Sequence, residues 1–371
     1  MNILRAKTTN LFSYQGLTEK QLHNIELNSR EMESGVTLLE SVPQRLVLEL
    51  TNTCNLSCVM CGRQEKAFQP TFFDMAWLEK LAPILDRVTE VTLFGWGEPT
   101  VHPKFREVLE YLDCFPVKKY FVTNGMLLHT YSDIIVKTVD VLAVSLDGAT
   151  QATNDRIRRG ADFNKIVENL RSLVAKRNAS AQKRPYINFV MTLMRDNLHE
   201  LPQMVELAHS LCIEEVKAVY LTSFSDGLVP QVLFDLQEEV QAVFEETLKL
   251  AKRHGVLIKL PYIQGQDPAG DALHKPCFVG WRDFFLGSDG FVRPCQSTAQ
   301  QFFSIHKQAT FMEIWNSPEY LEFRRVVNFG KEMPHQCSLC YQSSHTNWNR
   351  RSSYIQNEVS VEFAPKWLKP Y

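Results

Sequence analysis

The sequence predicts an α/β protein organised as a partial (β/α)6 barrel of the TIM type. Six short apolar runs, rich in β-branched residues, are typical of buried strands; they begin at residues 45, 90, 119, 141, 186 and 216. Longer segments with helical spacing separate them, such as 75–88 and 163–177. Short strands that alternate with amphipathic helices form parallel βαβ units. Six consecutive units favour a partial barrel over an open doubly wound sheet, although periodicity alone is compatible with both.

The composition is that of an ordinary globular protein. At roughly 150 residues per domain, 371 residues correspond to about two domains. A formal net charge of −2 gives no electrostatic argument for a nucleic-acid or anionic-membrane partner. No apolar run reaches the roughly 20 residues of a membrane helix, and the opening MNILRAKTTN lacks the apolar stretch of a secretory signal. We therefore expect a cytoplasmic protein, in which clustered cysteines are more often metal ligands or catalytic groups than disulfides.

Polar motifs follow the first four predicted strands. Three cysteines in the stretch CNLSCVMC (54–61) come directly after the first strand, and GWGEP (95–99) follows the second. TNG (123–125) ends the third strand and SLDG (145–148) ends the fourth. The carboxyl ends of parallel strands meet at one end of a barrel or sheet. We therefore expect these four segments to face one cleft.

The spacing of the first three cysteines indicates an incomplete metal site. Cys54, Cys58 and Cys61 follow a Cys-x3-Cys-x2-Cys pattern. A structural zinc site has four protein ligands, commonly in paired knuckles, and a fourth cysteine is missing nearby. A [4Fe–4S] cluster held by three thiolates keeps one iron open for an outside ligand. The pattern therefore predicts a cluster whose open iron binds a further molecule.

With these motifs in this order, residues of about 45–235 resemble the radical S-adenosylmethionine (SAM) superfamily. GWGEP stands in place of the Gly-Gly-Glu-Pro motif of that family, with Trp96 at the second glycine. The resemblance implies that the three cysteines of 54–61 hold a [4Fe–4S] cluster and that SAM binds its open iron. It also implies reductive cleavage of SAM to a 5′-deoxyadenosyl radical, which takes a hydrogen atom from a substrate carbon.

The resemblance also implies a set of SAM contacts. Glu98 and the backbone around Gly95 and Gly97 would receive the SAM ammonium group, as a carboxylate in a glycine-rich turn can accept charge-assisted bonds. Arg158 in NDRIRRG would pair with the SAM carboxylate, with Arg156 and Arg159 as close alternatives. The expected ribose and methionine contacts are Thr123, Asn124, Ser145 and Asp147. Catalytic residues beyond these are not assigned.

Four late cysteines form a second candidate site. Their spacing leaves 17, 41 and then two residues between successive members, which are Cys277, Cys295, Cys337 and Cys340. The turn residues Asp289-Gly290 predict a small hairpin that presents the second of them. Four thiolates close a site, and zinc or a [4Fe–4S] cluster fits the ligand count equally. The pattern resembles the twitch extension, a shortened SPASM domain of radical SAM enzymes, and this resemblance implies an auxiliary [4Fe–4S] cluster.

These observations divide the chain into five predicted parts. An N-terminal helical extension covers residues 1–44, the barrel covers 45–235, and a connecting helix and linker cover 236–269. A small C-terminal iron–sulfur domain of the twitch or SPASM type covers 270–345, and a tail covers 346–371.

A closed auxiliary cluster suits electron transfer, and it leads to the expected reaction. Acceptance of an electron from a substrate radical gives a two-electron oxidation, so the chain is expected to be an oxidoreductase that dehydrogenates a small polar metabolite. Twitch-bearing relatives oxidise an aminocyclitol, which suggests a sugar or cyclitol substrate. An electron donor such as flavodoxin or ferredoxin is the expected partner.

Two alternatives stay open at this stage. The first is a maturase that crosslinks a ribosomally made peptide; residues 1–44 contain one helical pattern and no strand set, which weighs against peptide recognition by this segment. The second is a radical epimerase, which needs a thiol donor. The two remaining cysteines, Cys114 and Cys212, fall in helical patterns and are expected to be buried core residues.

Three further segments are candidates with structural alternatives. Trp281, Arg282 and Asp283, and the polar stretch 345–351, could line the barrel mouth and bind substrate, or they could be packing and surface residues. His102 lies in a proline-flanked loop and is expected to be structural rather than catalytic.

Overall fold

The sheet of this protein contains six strands at the predicted positions. The computed structural model describes residues 16–65, 69–182, 184–261, 277–295, 300–307, 310–329, 332–335 and 337. Within them, ten strands form one sheet in the order β10-β9-β8-β1-β2-β3-β4-β5-β6-β7. The strands are β1 (Arg45–Leu48), β2 (Glu90–Leu93), β3 (Lys118–Thr123), β4 (Val141–Ser145), β5 (Tyr186–Leu193), β6 (Glu215–Tyr220), β7 (Leu257–Lys259), β8 (Asp283–Leu286), β9 (Phe291–Arg293) and β10 (Phe303–Ser304).

Strands β1 to β6 are parallel neighbours in chain order, which confirms the partial barrel. Side chains alternate between the two faces of each strand. On β1, Leu46 and Leu48 are fully buried in the main core, under the helices. Val47 and the following Glu49 lie on the other face and line a cavity at the carboxyl end of the sheet. The inner face of the sheet therefore supplies the polar and aromatic groups of the site.

Helices cover the outer face of the sheet. Their apolar stripes join the same core as the strands. The helices are α1 (Glu19–Ser34), α2 (Ala76–Leu81), α3 (Phe105–Asp113), α4 (Leu128–Thr138), α5 (Gln151–Ile157), α6 (Phe163–Ala179), α7 (Leu201–Ser210), α8 (Gln237–His254), α9 (Val279–Arg282), α10 (Phe311–Trp315) and α11 (Pro318–Val326).

The helix predicted over 75–88 is interrupted. Helix α2 ends at Leu81, and a short 3-10 helix, Ala82–Ile84, continues the chain. Pro83 lacks a backbone N–H and its ring crowds the preceding turn, so the regular α-helical ladder stops there. The apolar spacing of the segment is still used, because Leu78, Leu81 and Ile84 are all buried.

The C-terminal segment adds to the barrel sheet. Strand β8 pairs in parallel with β1, and β9 pairs antiparallel with β8, followed by β10. The predicted hairpin turn is confirmed: Gly290 has φ +77°, and the Asp289 carboxylate accepts a hydrogen bond from the Phe291 N–H at 3.1 Å. The hairpin that leads to Cys295 is thereby fixed against the first strand of the barrel.

Helix α1 closes the opposite, amino end of the sheet. Its capping box at Thr18 and Gln21 fixes where it begins. Gln21 also donates to the carbonyls of Val88 (2.7 Å) and Pro116 (2.9 Å), which precede β2 and β3. Across the described residues, no helix has both the length and the apolar content that crossing a bilayer requires.

Candidate active site

The cysteine loop is fixed at the carboxyl end of β1. Two backbone hydrogen bonds, Ser57 N–H to Arg159 O and Val59 N–H to Ile157 O, both 2.9 Å, join it to the end of α5. Cys54, Cys58 and Cys61 are all free thiols. The loop is therefore held by the segment that follows the SLDG motif, which brings the first and fourth strand-end motifs together.

Burial opposes ionisation of two of these thiols, and nearby donors partly offset it. Burial raises the pKa of Cys58 to about 11, and burial also raises the pKa of Cys54. The Leu56 N–H points at the Cys54 sulfur, 3.4 Å away, and Arg158 lowers the pKa of Cys58 through its charge. A bound metal displaces thiol protons, and nearby N–H and guanidinium groups stabilise the resulting thiolates. Three thiols on one loop are the donor set that a cluster with one open iron needs.

Gly97 permits the GWGEP turn to pack against the cysteine loop. A Cβ at this position would collide with the backbone carbonyl oxygens of Thr51 and Thr53. The Glu98 N–H donates to the Thr53 carbonyl at 2.9 Å and completes the contact. The departure from the family motif is accommodated, because the Trp96 side chain turns into the cleft and meets the Phe224 ring edge-on at 5.9 Å.

Glu98 joins the second and third strand-end motifs. Its Oε1 accepts from the Thr100 N–H (3.2 Å) and hydroxyl (2.6 Å) and from the Thr123 hydroxyl (2.7 Å). Its Oε2 accepts from the Asn124 N–H at 2.7 Å. Burial raises the pKa of this carboxyl, while these hydrogen bonds lower it. Since a carboxylate has about four acceptor positions, Oε2 keeps capacity for the predicted SAM ammonium.

Asn124 extends from the third motif to the cysteine loop. Its Nδ2 donates to Asn55 Oδ1 at 2.8 Å and lies 3.9 Å from the Cys54 sulfur. Thr123 is buried, and its hydroxyl also accepts from the Gly125 N–H at 3.1 Å. The hydroxyl of Thr123 is therefore bonded within the protein, whereas Asn124 faces the predicted cluster. Ser145, predicted as a further SAM contact, ends β4 and is half-buried.

Asp147 and Arg158 form a buried ion pair beside the cysteines. Arg158 Nε lies 2.7 Å from Asp147 Oδ2, and the Thr192 N–H donates to Asp147 Oδ1 at 2.7 Å. Of the alternatives to Arg158, Arg156 pairs with Asp196 on the surface at 2.6 Å. The geometry therefore favours Arg158 as the guanidinium that faces the site, with Asp147 orienting it.

Three of the four late cysteines are among the described residues, and Cys295 follows the β8–β9 hairpin. Cys277, Cys295 and Cys337 are half-buried free thiols packed against the main core. The Cys277 N–H donates to Asn328 Oδ1 at 2.6 Å, and Asn328 Nδ2 donates back to the Cys277 carbonyl at 3.3 Å. Cys340 and the candidate stretch 345–351 lie outside the described residues.

Two family models match the chain. The model of the radical SAM superfamily matches residues 48–208, which contain the cysteine loop and all four strand-end motifs. The model of the SPASM iron–sulfur cluster-binding domain matches residues 277–341, which contain the four late cysteines. The chain contains a radical SAM domain followed by a SPASM iron–sulfur domain.

This radical SAM enzyme is similar to other proteins over most of its length. It is 23% identical over 317 residues to the tungsten-containing aldehyde ferredoxin oxidoreductase cofactor-modifying protein of Pyrococcus furiosus, covering 79% of this chain and 87% of the relative. It is 27% identical over 320 residues to the PqqA peptide cyclase of Gluconobacter oxydans, covering 81% and 84%. It shares the fold of Streptococcus suis SuiB bound to S-adenosylmethionine, with a TM-score of 0.63 at 15% identity, covering 91% and 81%.

The two domains confirm the predicted cofactors of the radical SAM enzyme, which are SAM and two [4Fe–4S] clusters. The match to an iron–sulfur cluster-binding domain favours a [4Fe–4S] cluster over zinc at the four late cysteines. Cys54, Cys58 and Cys61 stay the predicted ligands of the SAM-binding cluster, and the late cysteines those of the auxiliary cluster.

Two sequence expectations about cysteines are wrong. Cys114 and Cys212 are exposed, although both were expected in the core. Each lies where a helix ends, just past α3 and α7, so its side chain leaves the buried stripe of the helix. Both positions precede a strand, at the end of the barrel opposite to the cysteine loop. Neither thiol can act as a hydrogen donor in the cleft.

The segment 281–283 serves packing rather than the barrel mouth. Asp283 begins β8 and is fully buried, and it pairs with Arg45 and Arg282, each at 2.8 Å. The Trp281 indole donates to the Val36 carbonyl at 2.7 Å. These contacts lie at the amino ends of β1 and β8, away from the cysteine loop. The packing interpretation of this segment is therefore the correct one.

His102 has the structural role expected of it. Its Nδ1 accepts from the Lys104 N–H at 3.2 Å, so Nε2 carries the proton and donates to the Phe73 carbonyl at 3.0 Å. Burial lowers the pKa of this imidazole and keeps it neutral.

A cavity at the carboxyl ends of β1, β2 and β8 was not predicted from the sequence. It has a volume of about 40 Å³, and its wall comprises Val47, Glu49, Phe94, Trp96, Phe285, Leu286, Gly287 and Arg293. Arg293 is paired with Asp289 at 2.6 Å. The sequence feature that could have indicated this cavity is Glu49, a charged residue within the apolar run that precedes the cysteines.

Proposed function

We propose that this radical SAM enzyme oxidatively modifies a peptide, most simply by forming a crosslink within it. The observation that carries the proposal is the similarity to the PqqA peptide cyclase over 81% of the chain. Dehydrogenation of a sugar or cyclitol, the first expectation from the sequence, has no comparable support. The short segment before β1 was a weak argument against peptides, because a separate protein can supply peptide recognition.

The cleft provides contacts suited to peptide side chains. Phe72, Phe94 and Phe224 are 45%, 39% and 42% exposed, and all three lie in loops at the carboxyl end of the sheet. Trp96 packs edge-on against Phe224 in the same cleft. Exposed aromatic residues around a concave site are typical of recognition surfaces for apolar side chains. The cavity that contains Phe94 and Trp96 also reaches the hairpin of the auxiliary site.

The proposed residue roles follow from these positions. Cys54, Cys58 and Cys61 would hold the SAM-binding cluster, which together with SAM would supply the radical that takes a hydrogen atom from a peptide carbon. Forming one bond at the expense of two bonds to hydrogen is a two-electron oxidation of the peptide. One hydrogen leaves on the adenosyl group, and the other leaves as a proton and an electron. The four late cysteines would hold the auxiliary cluster, which would supply an acceptor for that electron.

The proposal extends to the partners of the enzyme. Each SAM cleavage consumes one electron, so we propose a low-potential donor such as flavodoxin or ferredoxin. We also propose a cytoplasmic location. The enzyme acts as an oxidoreductase in this scheme.

The test is a substrate comparison with anaerobically reconstituted enzyme. Synthetic peptides encoded by short reading frames beside the gene are compared with a panel of monosaccharides and aminocyclitols. We expect a peptide to stimulate 5′-deoxyadenosine release and to lose about 2 Da, the mass of two hydrogen atoms. Stimulation by a sugar or cyclitol alone would overturn the proposal. A peptide of unchanged mass that takes up solvent deuterium at carbon would overturn it in favour of epimerisation.

Phe224→Ala refines the peptide test. Removal of this exposed ring is expected to raise the peptide KM several-fold, because the ring faces the cleft. Leu257→Ala is a matched control, since Leu257 is exposed to a similar extent, 39%, at the amino end of β7. Equal effects of the two variants on KM would contradict the proposed aromatic wall.

A further inference from the structure

Glu49 contacts two parts of the chain that are far apart in sequence. Its Oε1 accepts from the Trp96 N–H in the GWGEP turn at 2.7 Å. Its Oε2 accepts from the Ser288 N–H at 3.2 Å and the Ser288 hydroxyl at 2.9 Å. Ser288 lies in the turn between β8 and β9, the hairpin that leads to Cys295. One carboxylate therefore joins the predicted SAM-binding turn to the auxiliary-site hairpin.

The position of the Glu49 side chain is closely defined. A Cβ at Gly95 would collide with the side chain of Glu49, so the glycine lets the carboxylate pass directly beside the turn. The backbone N–H of Glu49 donates to the Leu286 carbonyl at 3.0 Å, which extends the pairing of β1 with β8. The Glu49 carboxylate is thus held between the GWGEP turn and the turn that joins β8 to β9.

A hydroxyl chain links the same network to the cysteine loop. Thr71 Oγ1 and Ser288 Oγ are 2.7 Å apart. Because the Glu49 carboxylate only accepts, the Ser288 hydroxyl donates to it, and the Thr71 hydroxyl donates to Ser288. The Thr71 N–H in turn donates to Asn52 Oδ1 at 2.9 Å, two residues before Cys54. The network therefore connects the cysteine-loop entry, the GWGEP turn and the hairpin.

We propose that Glu49 is a positioning residue that couples the hairpin of the auxiliary site to the SAM-binding turn. Hydrogen bonds to a carboxylate are stronger than those between neutral groups, so loss of the charge loosens both turns. Coupling between two sites is reciprocal. Binding of SAM therefore orders the Ser288 turn, and a change at Ser288 weakens SAM binding although Ser288 lies in the C-terminal iron–sulfur domain.

The first test is a double-mutant cycle on reconstituted enzyme, with the SAM dissociation constant as the readout. Glu49→Gln replaces one acceptor by an N–H₂ group and is expected to weaken SAM binding about tenfold, the equivalent of one charge-assisted hydrogen bond. Ser288→Ala is expected to weaken it about threefold. The double variant should bind no more weakly than Glu49→Gln alone. Ser304→Ala, on strand β10 of the same sheet, is the matched control and should bind SAM normally.

The second test measures amide hydrogen exchange at Trp96 and Ser288. Addition of SAM should slow exchange at Ser288 in the unaltered enzyme and leave it unchanged in Glu49→Gln. The proposal would be overturned if the two substitutions weaken SAM binding by factors that multiply. It would also be overturned if Ser288→Ala leaves the SAM dissociation constant unchanged. Ser288 protection by SAM that persists in Glu49→Gln would overturn it as well. Thermal unfolding of each variant separates these outcomes from a general loss of fold.

Discussion

Gly97→Ala is predicted to damage the metal site more than the fold. The added Cβ would meet three backbone groups of one segment, the carbonyl oxygens of Thr51 and Thr53 and the carbonyl carbon of Asn52 at 2.8 Å. Ordinary contact begins near 3.4 Å and the two carbonyl oxygens lie nearer still than the Asn52 carbon, so the segment must move by more than about 0.6 Å. Overpacking of this kind costs about 1–3 kcal/mol. Cys54 directly follows the displaced segment, and ligand distances in a metal site tolerate only about 0.2 Å.

The measurements for Gly97→Ala are iron content, SAM affinity and thermal unfolding after anaerobic reconstitution. We expect a folded protein with a clear loss of iron and of SAM binding. Gly227→Ala is the matched control, because its added Cβ would meet only Ser225 Oγ at 3.9 Å. If Gly97→Ala retains as much iron and binds SAM as tightly as Gly227→Ala, the steric argument for the GWGEP turn is wrong.

Two further predictions concern the thiols and the buried ion pair. Cys54→Ala should abolish 5′-deoxyadenosine formation, whereas Cys295→Ala should spare it and stop product formation; Cys114→Ala, which removes an exposed thiol, should change neither. Asp147→Asn should lower the free energy of unfolding by about 3–5 kcal/mol, because it leaves the charge of Arg158 buried without its partner. Denaturant unfolding checks this value, and a loss below about 1 kcal/mol would mean that Arg158 is solvated.

Local sequence patterns predicted the barrel because each strand and turn carries its own signal. Each of the six parallel strands begins within two residues of the start that its apolar run predicted. The Asp289-Gly290 turn also follows from two adjacent residues, one of which needs positive φ. The pairing of β8 with β1 was not predictable in this way, because it joins residues 45–48 to 283–286. That pairing buries Asp283, which the sequence offered as a possible substrate contact.

Sequence patterns predicted which residues belong to the site better than they predicted the contacts of those residues. Motifs at strand ends correctly indicated that Glu98, Asn124 and the cysteine loop would meet, since parallel strands end together. Glu49 was missed, because a carboxylate at the end of an apolar run carries no local signal of its partners. Its bonds to Trp96 and Ser288 depend on the β8–β1 pairing. The substrate class depends on the cleft surface, which sequence spacing does not describe.

The hydrogen bonds within the site divide its residues into scaffold and contact groups. Glu98 and Asp147 are almost fully buried, and their carboxylates bond mainly to this chain's own N–H, hydroxyl and guanidinium groups. The Asn124 side chain, in contrast, donates to Asn55 in the cysteine loop, and Arg158, paired with Asp147, acts on Cys58 through its charge. Substitution of Glu98 or Asp147 should therefore displace the contact groups, and substitution of Glu98 should also remove the predicted bond to the SAM ammonium. A site held in this way is formed before the cofactor arrives, which reduces the entropy lost on binding.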